Sequence, residues 1–222
     1  MGWLALVAGC SGSGTTMPTD PDASATVPSD APVGSHGDAQ ASSGLIVTWE
    51  TTPTLAPIPI EGGGEIASAM FKLARCELIG DSTSGDERTT ATNFVIGWTT
   101  IGSADPRFFP FAPPGRYSKL SLTMNATGGD WVYELTGTAK IMGTDEPFVI
   151  RDTQRVDIDE SFDVTLPPGG TKVVRVKVDL ADVVKNVDWD TVPVQNNVRE
   201  LVAGPQLDDV RNRLKNAFDI AE

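Results

Sequence analysis

The chain has 222 residues, with 30 acidic against 17 basic side chains and a formal charge of −13 at pH 7. An excess of that size repels a phosphate backbone, so nucleic-acid binding is excluded as a function class. The only histidine, His36, sits among small polar residues before the first long apolar pattern. Histidine-dependent nucleophiles and imidazole metal sites are therefore excluded from the part that folds. No GxSxG elbow, P-loop or CxxC pair occurs, and no cofactor is expected.

The chain opens with a short apolar run, Trp3 to Ala8, that ends in Leu6-Val7-Ala8-Gly9-Cys10. Small residues before a cysteine resemble the lipobox of bacterial lipoproteins. The resemblance implies that Cys10 is acylated and becomes the first residue of the mature protein. An export signal normally carries a basic segment and roughly 7–15 apolar residues. Residues 1–10 are therefore expected to be the truncated end of a lipoprotein signal peptide, with the start codon placed too late. Ser11 suits sorting to the outer membrane, by analogy with other lipoproteins. The implied location is the cell envelope, with the N-terminal lipid as the membrane contact.

Residues 11–43 contain no Lys or Arg and are mostly Ser, Thr, Gly, Ala, Asp and Pro. Such a segment buries too little apolar surface to offset its ordering entropy, and is expected to be a disordered tether. A coil of this length spans on the order of 30 Å. Four acids, Asp20, Asp22, Asp30 and Asp38, precede residue 44 and no base does, leaving 17 basic against 26 acidic residues and a net charge of −9 beyond it.

Residues 44–222 are expected to form one domain. Short β-branched or aromatic runs alternate there with Gly, Pro, Asp and Ser clusters, the pattern of an all-β sandwich or barrel. Strands are predicted at 45–51, 67–79, 93–101, 117–125, 131–142, 147–151, 155–165 and 172–179. No further apolar run approaches the roughly 18 residues needed to cross a bilayer. Acylation of Cys10 leaves Cys76 unpaired; inside a strand it reads as a small buried apolar residue. Gly62-Gly63-Gly64 reads as a turn between strands.

Over 156–166, Val156, Ile158, Phe162, Val164 and Leu166 share one face, and Asp157, Asp159, Ser161, Asp163 and Thr165 the other. After Pro167-Pro168-Gly169-Gly170, Val174, Val176 and Val178 alternate with Arg175, Lys177 and Asp179. The two runs read as a hairpin that pairs Val164 with Val174 and Phe162 with Val176. That register sets Asp163 opposite Arg175 and Asp159 diagonal to Lys177.

Two helices follow. A short helix is predicted from Leu180 to Val187, with Asp179 as N-cap and Leu180, Val183, Val184 and Val187 as its apolar stripe. Leu207, Val210, Leu214, Ala217 or Phe218, and Ala221 share one helical face, with Pro205 in the first turn and Asp208 and Asp209 near the positive end of the dipole. Both helices are expected to pack on the sandwich or cover a sheet edge.

Three side-chain sets are candidates for chemistry. Asp157, Asp159, Glu160 and Asp163 resemble hard-cation ligands, but same-face neighbours on a strand stand roughly 6.5–7 Å apart, so a solvated outer face is the reading preferred. A calcium site is better placed in the loop 81–88, where a turn can converge Asp81, Asp86 and Glu87. The third set is aromatic. Asp105 to Pro114 carries Phe108, Phe109 and Phe111, and Trp131 is their candidate partner in a ligand-binding platform; Trp98, Tyr133 and Trp189 lie near it or in the core. The bland reading is that this loop folds back and plugs one end of the sandwich.

At Pro113-Pro114-Gly115-Arg116-Tyr117-Ser118-Lys119-Leu120-Ser121-Leu122, the PPGxY phrase resembles the Gly-x-Tyr strand entry of prealbumin-like and carboxypeptidase-regulatory-like β-sandwiches. The resemblance implies that glycine makes the turn and tyrosine pins strand to loop. Sandwich domains of unknown function in bacterial lipoproteins share this look, some of them suspected of carbohydrate contact. A similar phrase in periplasmic copper-binding proteins implies a His-rich site that this domain lacks.

The sequence thus predicts a mainly β, immunoglobulin- or prealbumin-like antiparallel sandwich with one short helix and a C-terminal amphipathic helix. Its expected role is a non-catalytic binding or structural module at the envelope, not an enzyme, with an envelope protein or polysaccharide as partner. Alternatives are carbohydrate binding through the Phe108–Phe111 loop and a carboxylate-dependent hydrolase, which requires two acids across one cleft at roughly 5–9.5 Å.

Overall fold

A computed structural model describes residues 43–54, 57–80, 88–99, 104–126 and 130–221. Cys10, the 11–43 segment, and Asp81, Asp86 and Glu87 lie outside the described residues. The elements in chain order are β1 (Gly44–Thr51), β2 (Ile58–Pro59), β3 (Gly64–Gly80), β4 (Arg88–Thr99), β5 (Arg107–Phe109), β6 (Gly115–Met124), β7 (Tyr133–Ile141), β8 (Thr144–Asp152), β9 (Val156–Leu166), β10 (Thr171–Val178), α1 (Leu180–Val184), a 3-10 turn (Trp189–Thr191), β11 (Val194–Gln195), β12 (Val198–Leu201), α2 (Pro205–Lys215) and β13 (Phe218–Ala221).

The strands form two sheets, and the fold is a mainly β sandwich with few helices. The smaller sheet runs β13-β10-β1-β5. Within it β1 and β10 are parallel, from Gly44 beside Thr171 to Thr51 beside Val178, while β5 and β13 add antiparallel. The larger sheet is organised on β3. One edge of β3 takes β2 and β4; the other takes β7 along Gly64–Phe71 and β6 along Leu73–Gly80. The change falls at Lys72, whose N–H donates to Val132 O at 2.9 Å and whose carbonyl accepts from Asn125 N at 3.2 Å. From β7 the sheet continues through β8, β12 and β11, with β12 parallel to β8, and from β6 to β9.

Alternation decides which side of each strand is buried. Leu45, Val47 and Trp49 from β1 and Val174, Val176 and Val178 from β10 join Leu73, Leu78, Leu120, Leu122 and Ile158 in one core. Phe71 packs edge-on against Phe218 at 6.0 Å and Trp98 at 5.9 Å. Midway along β3 the inward positions switch from Phe71 and Leu73 to Cys76 and Leu78, and on β4 from Phe94 to Ala91. Asn93, in the left-handed region at φ 54°, and a register break between Leu73 and Arg75 mark the switch. An extra residue in a strand brings the following side chain round to the same face, and here it puts Cys76 fully inside. Burial raises the Cys76 thiol to about 12, so it packs as an apolar group.

The expected hairpin of 156–166 with the following strand does not form. β9 pairs with β6 in the larger sheet, and β10 pairs with β1 and β13 in the smaller one. Pro167-Pro168-Gly169-Gly170 carries the chain between sheets, with Gly170 N donating to Pro167 O and Gly169 at φ 69°. The apolar faces do match, but they belong to facing sheets of the sandwich and not to neighbouring strands. Asp163 and Asp159 accordingly meet Arg116 and Lys119 of β6 at 2.9 and 3.0 Å, not Arg175 and Lys177.

The first helix starts as expected, with the Asp179 side chain accepting from Asp182 N and Leu180, Val183 and Val184 buried, but it ends at Val184 and leaves Val187 beyond it. The second departs from expectation at its end. It stops at Lys215, and Phe218–Ala221 becomes β13 along β10. Leu214 and Phe218 fit either a helical face or a strand following a helix. Pairing with the open side of β10 satisfies backbone groups that a longer helix would have left exposed there. The two helices pack on each other, and α2 rests on β8 and β9. Arg211 of α2 reaches the buried Asp152 at the end of β8 through Nε and binds Asp208 at 2.7 Å.

Candidate functional site

The structure splits the aromatic candidates. β5 aligns with β1 so that Phe109 stands beside Leu45, Phe108 beside Ile46 and Arg107 beside Val47. Successive side chains of a strand point to opposite faces. Phe109 is consequently buried in the core, while Phe108 is 37% exposed on the outer face. A turn closed by Ala112 N donating to Phe109 O then sets Phe111 out in solvent, 91% exposed. The loop therefore both plugs the sandwich, through Phe109, and presents two rings outside it.

Trp131 does not join them. It stacks under the Lys72 ammonium, 3.8 Å from the ring centroid, at the point where β3 changes partner. Lys72 also pairs with Asp130, and that hydrogen bond, then one from Trp131 N, holds the Asp130 carboxyl below its usual range. Lys72 and Asp130 line a cavity of about 260 Å³ with Asn93, Phe94 and Asn125. The other aromatics are structural: Trp98 and Tyr133 are buried, and Trp189 packs on Phe148 at 4.4 Å.

The exposed rings border a groove of about 400 Å³ between β4 and β5, lined by Thr89, Thr92, Arg107, Phe108 and Phe111. Arg107 is the residue that sequence reasoning passed over. Its place two positions before Phe109 puts it on the same, inward side, with the guanidinium 4.8 Å above the Phe94 ring. Its Nε is buried without a hydrogen-bond acceptor. The signal was present in Arg107-Phe108-Phe109: a cation in phase with the buried ring of an alternating strand.

The acidic run on β9 is a solvated outer face, as expected from its spacing. Arg116 grips Asp163 through two nitrogens at 2.9 and 3.0 Å. Asp159 pairs with Lys119, and Asp157 accepts from Arg155 and from Thr123 Oγ1. These bonds depress all three carboxyls: Arg116 is the main cause at Asp163, Arg155 at Asp157 and Ser121 at Asp159. Glu160 goes the other way, raised first by burial and then by Asp219 and Asp159. The calcium candidates Asp81, Asp86 and Glu87 lie outside the described residues.

The PPGxY segment behaves as its glycine and tyrosine suggest. Gly115 takes φ 151°, and the buried Tyr117 hydroxyl donates to Pro113 O at 2.7 Å, tying β6 to the loop before it. No family model, curated protein or solved structure matches this chain.

Proposed function

We propose that the chain is a lipid-anchored, non-catalytic binding or structural module of the cell envelope, held through Cys10 and spaced from the membrane by residues 11–43. The observation that carries the reading is the division of the chain. A stretch without Lys, Arg or extended apolar pattern separates a lipobox-like Cys10 from Gly44, the first residue of a sandwich strand. On the domain itself the acidic run of β9 is tied to β6 by ion pairs, and the exposed large apolar side chains include Phe108 and Phe111 of the turn after β5. Metabolic labelling with a palmitate analogue, comparing wild type with Cys10→Ala, tests the anchor. Label should enter the wild type and be lost in the variant; equal labelling contradicts the reading.

A second reading, polysaccharide contact through the same loop, is favoured by the groove beside the two exposed rings. Sugars pack on ring faces, and an unpaired guanidinium donor suits hydroxyl or carboxylate oxygens. Titration with envelope polysaccharide fragments should give binding that Arg107→Ala abolishes. An unchanged heat of binding in that variant removes the groove from the account.

A further inference from the structure

The groove between β4 and β5 runs along strand edges and not across a face. A face is lined by alternate residues of a strand. This groove is lined by Thr89, Thr90, Ala91 and Thr92 in succession, and by the unbroken run from Arg107 to Phe111. Among the described residues β4 pairs only with β3 and β5 only with β1. The outer edge of an antiparallel strand leaves every second residue's N–H and C=O without a ladder partner, a template for a further strand. Along Thr89–Thr92 that edge is held straight from its other side by Leu78, Glu77, Cys76 and Arg75 of β3.

The same groove holds a cation without a counter-charge. Arg107 is half-buried, its Nε is sealed from solvent without an acceptor, and it makes no ion pair among the described residues. None of the lining residues is acidic. Glu77 follows the inward Cys76 and so turns to the opposite face of β3, where Arg75 binds it at 3.0 Å. Asp105, two residues before Arg107, is exposed ahead of β5. A guanidinium withdrawn from water is best matched by a carboxylate that accepts two of its hydrogens.

We propose that an extended peptide segment of a partner protein adds along β4 at Thr89–Thr92 and delivers one carboxylate to Arg107; the inference deepens, and rests on, the binding-module reading above. A polysaccharide would use the rings and the guanidinium but leave the open edge of β4 to water, whereas an added strand takes up all three. Side chains of that strand alternate, so an inward one meets Arg107 beside the small, buried Ala91 while its neighbours stay in solvent. The net charge of −9 over residues 44–222 repels a strongly acidic partner. The segment that fits is therefore extended, otherwise near neutral, and carries a single carboxylate, on a side chain or at its C-terminus.

The test selects short random peptides displayed on phage against the full-length Cys10→Ala chain. Enriched peptides should alternate β-branched or apolar residues and share one carboxylate at a fixed position. Remaking each peptide with its side-chain acid or its C-terminus as an amide tells which carboxylate is read. Either that replacement or Arg107→Gln should weaken binding about 10-fold or more, and the two together little further. Bound peptide should slow hydrogen exchange of backbone amides within Thr89–Thr92. An unchanged melting midpoint shows that Arg107→Gln is folded, and the amide replacement reads the same contact without altering the chain. Absence of any enriched peptide, equal or tighter binding by Arg107→Gln, or no protection within Thr89–Thr92 overturns the proposal. Polysaccharide fragments that bind the groove where no peptide is enriched overturn it too, yet leave the binding module standing. Since the chain tested carries no acyl group, these results stand apart from the labelling at Cys10.

Discussion

The parallel pair β1–β10 has two ends built on opposite principles. At the Thr51–Val178 end the chain passes into α1, β13 adds along β10, and Arg211 clamps α2 to a carboxylate that is 1% exposed. At the Gly44–Thr171 end, Phe108, Phe111 and Val173 remain exposed to solvent. The contrast separates two uses of the same residue types. Charges and apolar groups that satisfy each other hold the fold, and those left unsatisfied at the surface are available for contact.

Breaking the closed end should have the largest effect. Arg211→Met leaves Asp152 buried without its cation and should cost about 3–5 kcal/mol in a urea titration. A loss below 1 kcal/mol would mean that the clamp is not what holds α2. Next comes the buried tie at the start of β6. Tyr117→Phe keeps the ring but removes the donor to Pro113 O, and should cost about 1–2 kcal/mol by the same assay.

Glu160 sharpens the comparison through pH. Its folded pKa is raised, so its contribution is fully present below the unfolded value and is lost as pH rises through the folded one. Glu160→Gln should therefore raise the melting midpoint at pH 7, by about 1–2 °C for a chain of this size, and leave it unchanged near pH 3. Asp157, Asp159 and Asp163 carry the opposite sign: their contribution is present above the unfolded carboxyl range and fades as pH falls through their depressed values. The smallest effect on stability belongs to the open end. Phe111→Asp should change the unfolding free energy in the urea titration by less than about 0.5 kcal/mol, since the ring has little to lose. A large loss would make Phe111 a structural residue and remove the contrast between the ends.

Much of the architecture was legible because alternation reports burial directly. Each of the eight strands read from the sequence exists, as does the Asp179 cap of α1. Alternation does not say which strand lies next to which. The faces of 156–166 and 172–179 match equally well side by side or across a sandwich, and only the crossing at Pro167–Gly170 separates the two. Short elements were invisible for a related reason. Arg107–Phe109 and Phe218–Ala221 are strands because β1 and β10 offer them edges, not because three or four residues carry a period. The aromatic site was legible as composition but not as geometry. Phe109 is buried and Phe111 exposed because they fall on either side of a turn after β5 of the smaller sheet, and Trp131 is held by Lys72 of β3 in the larger one.

The account stands on the cysteine at the head of the 11–43 segment, and the most direct measurement is the intact mass of the mature chain extracted from envelope membranes. It predicts a chain that begins at Cys10, lacks residues 1–9, and exceeds its peptide mass by that of the attached acyl groups. A mature chain that retains residues 1–9, or that carries no lipid at Cys10, would contradict it.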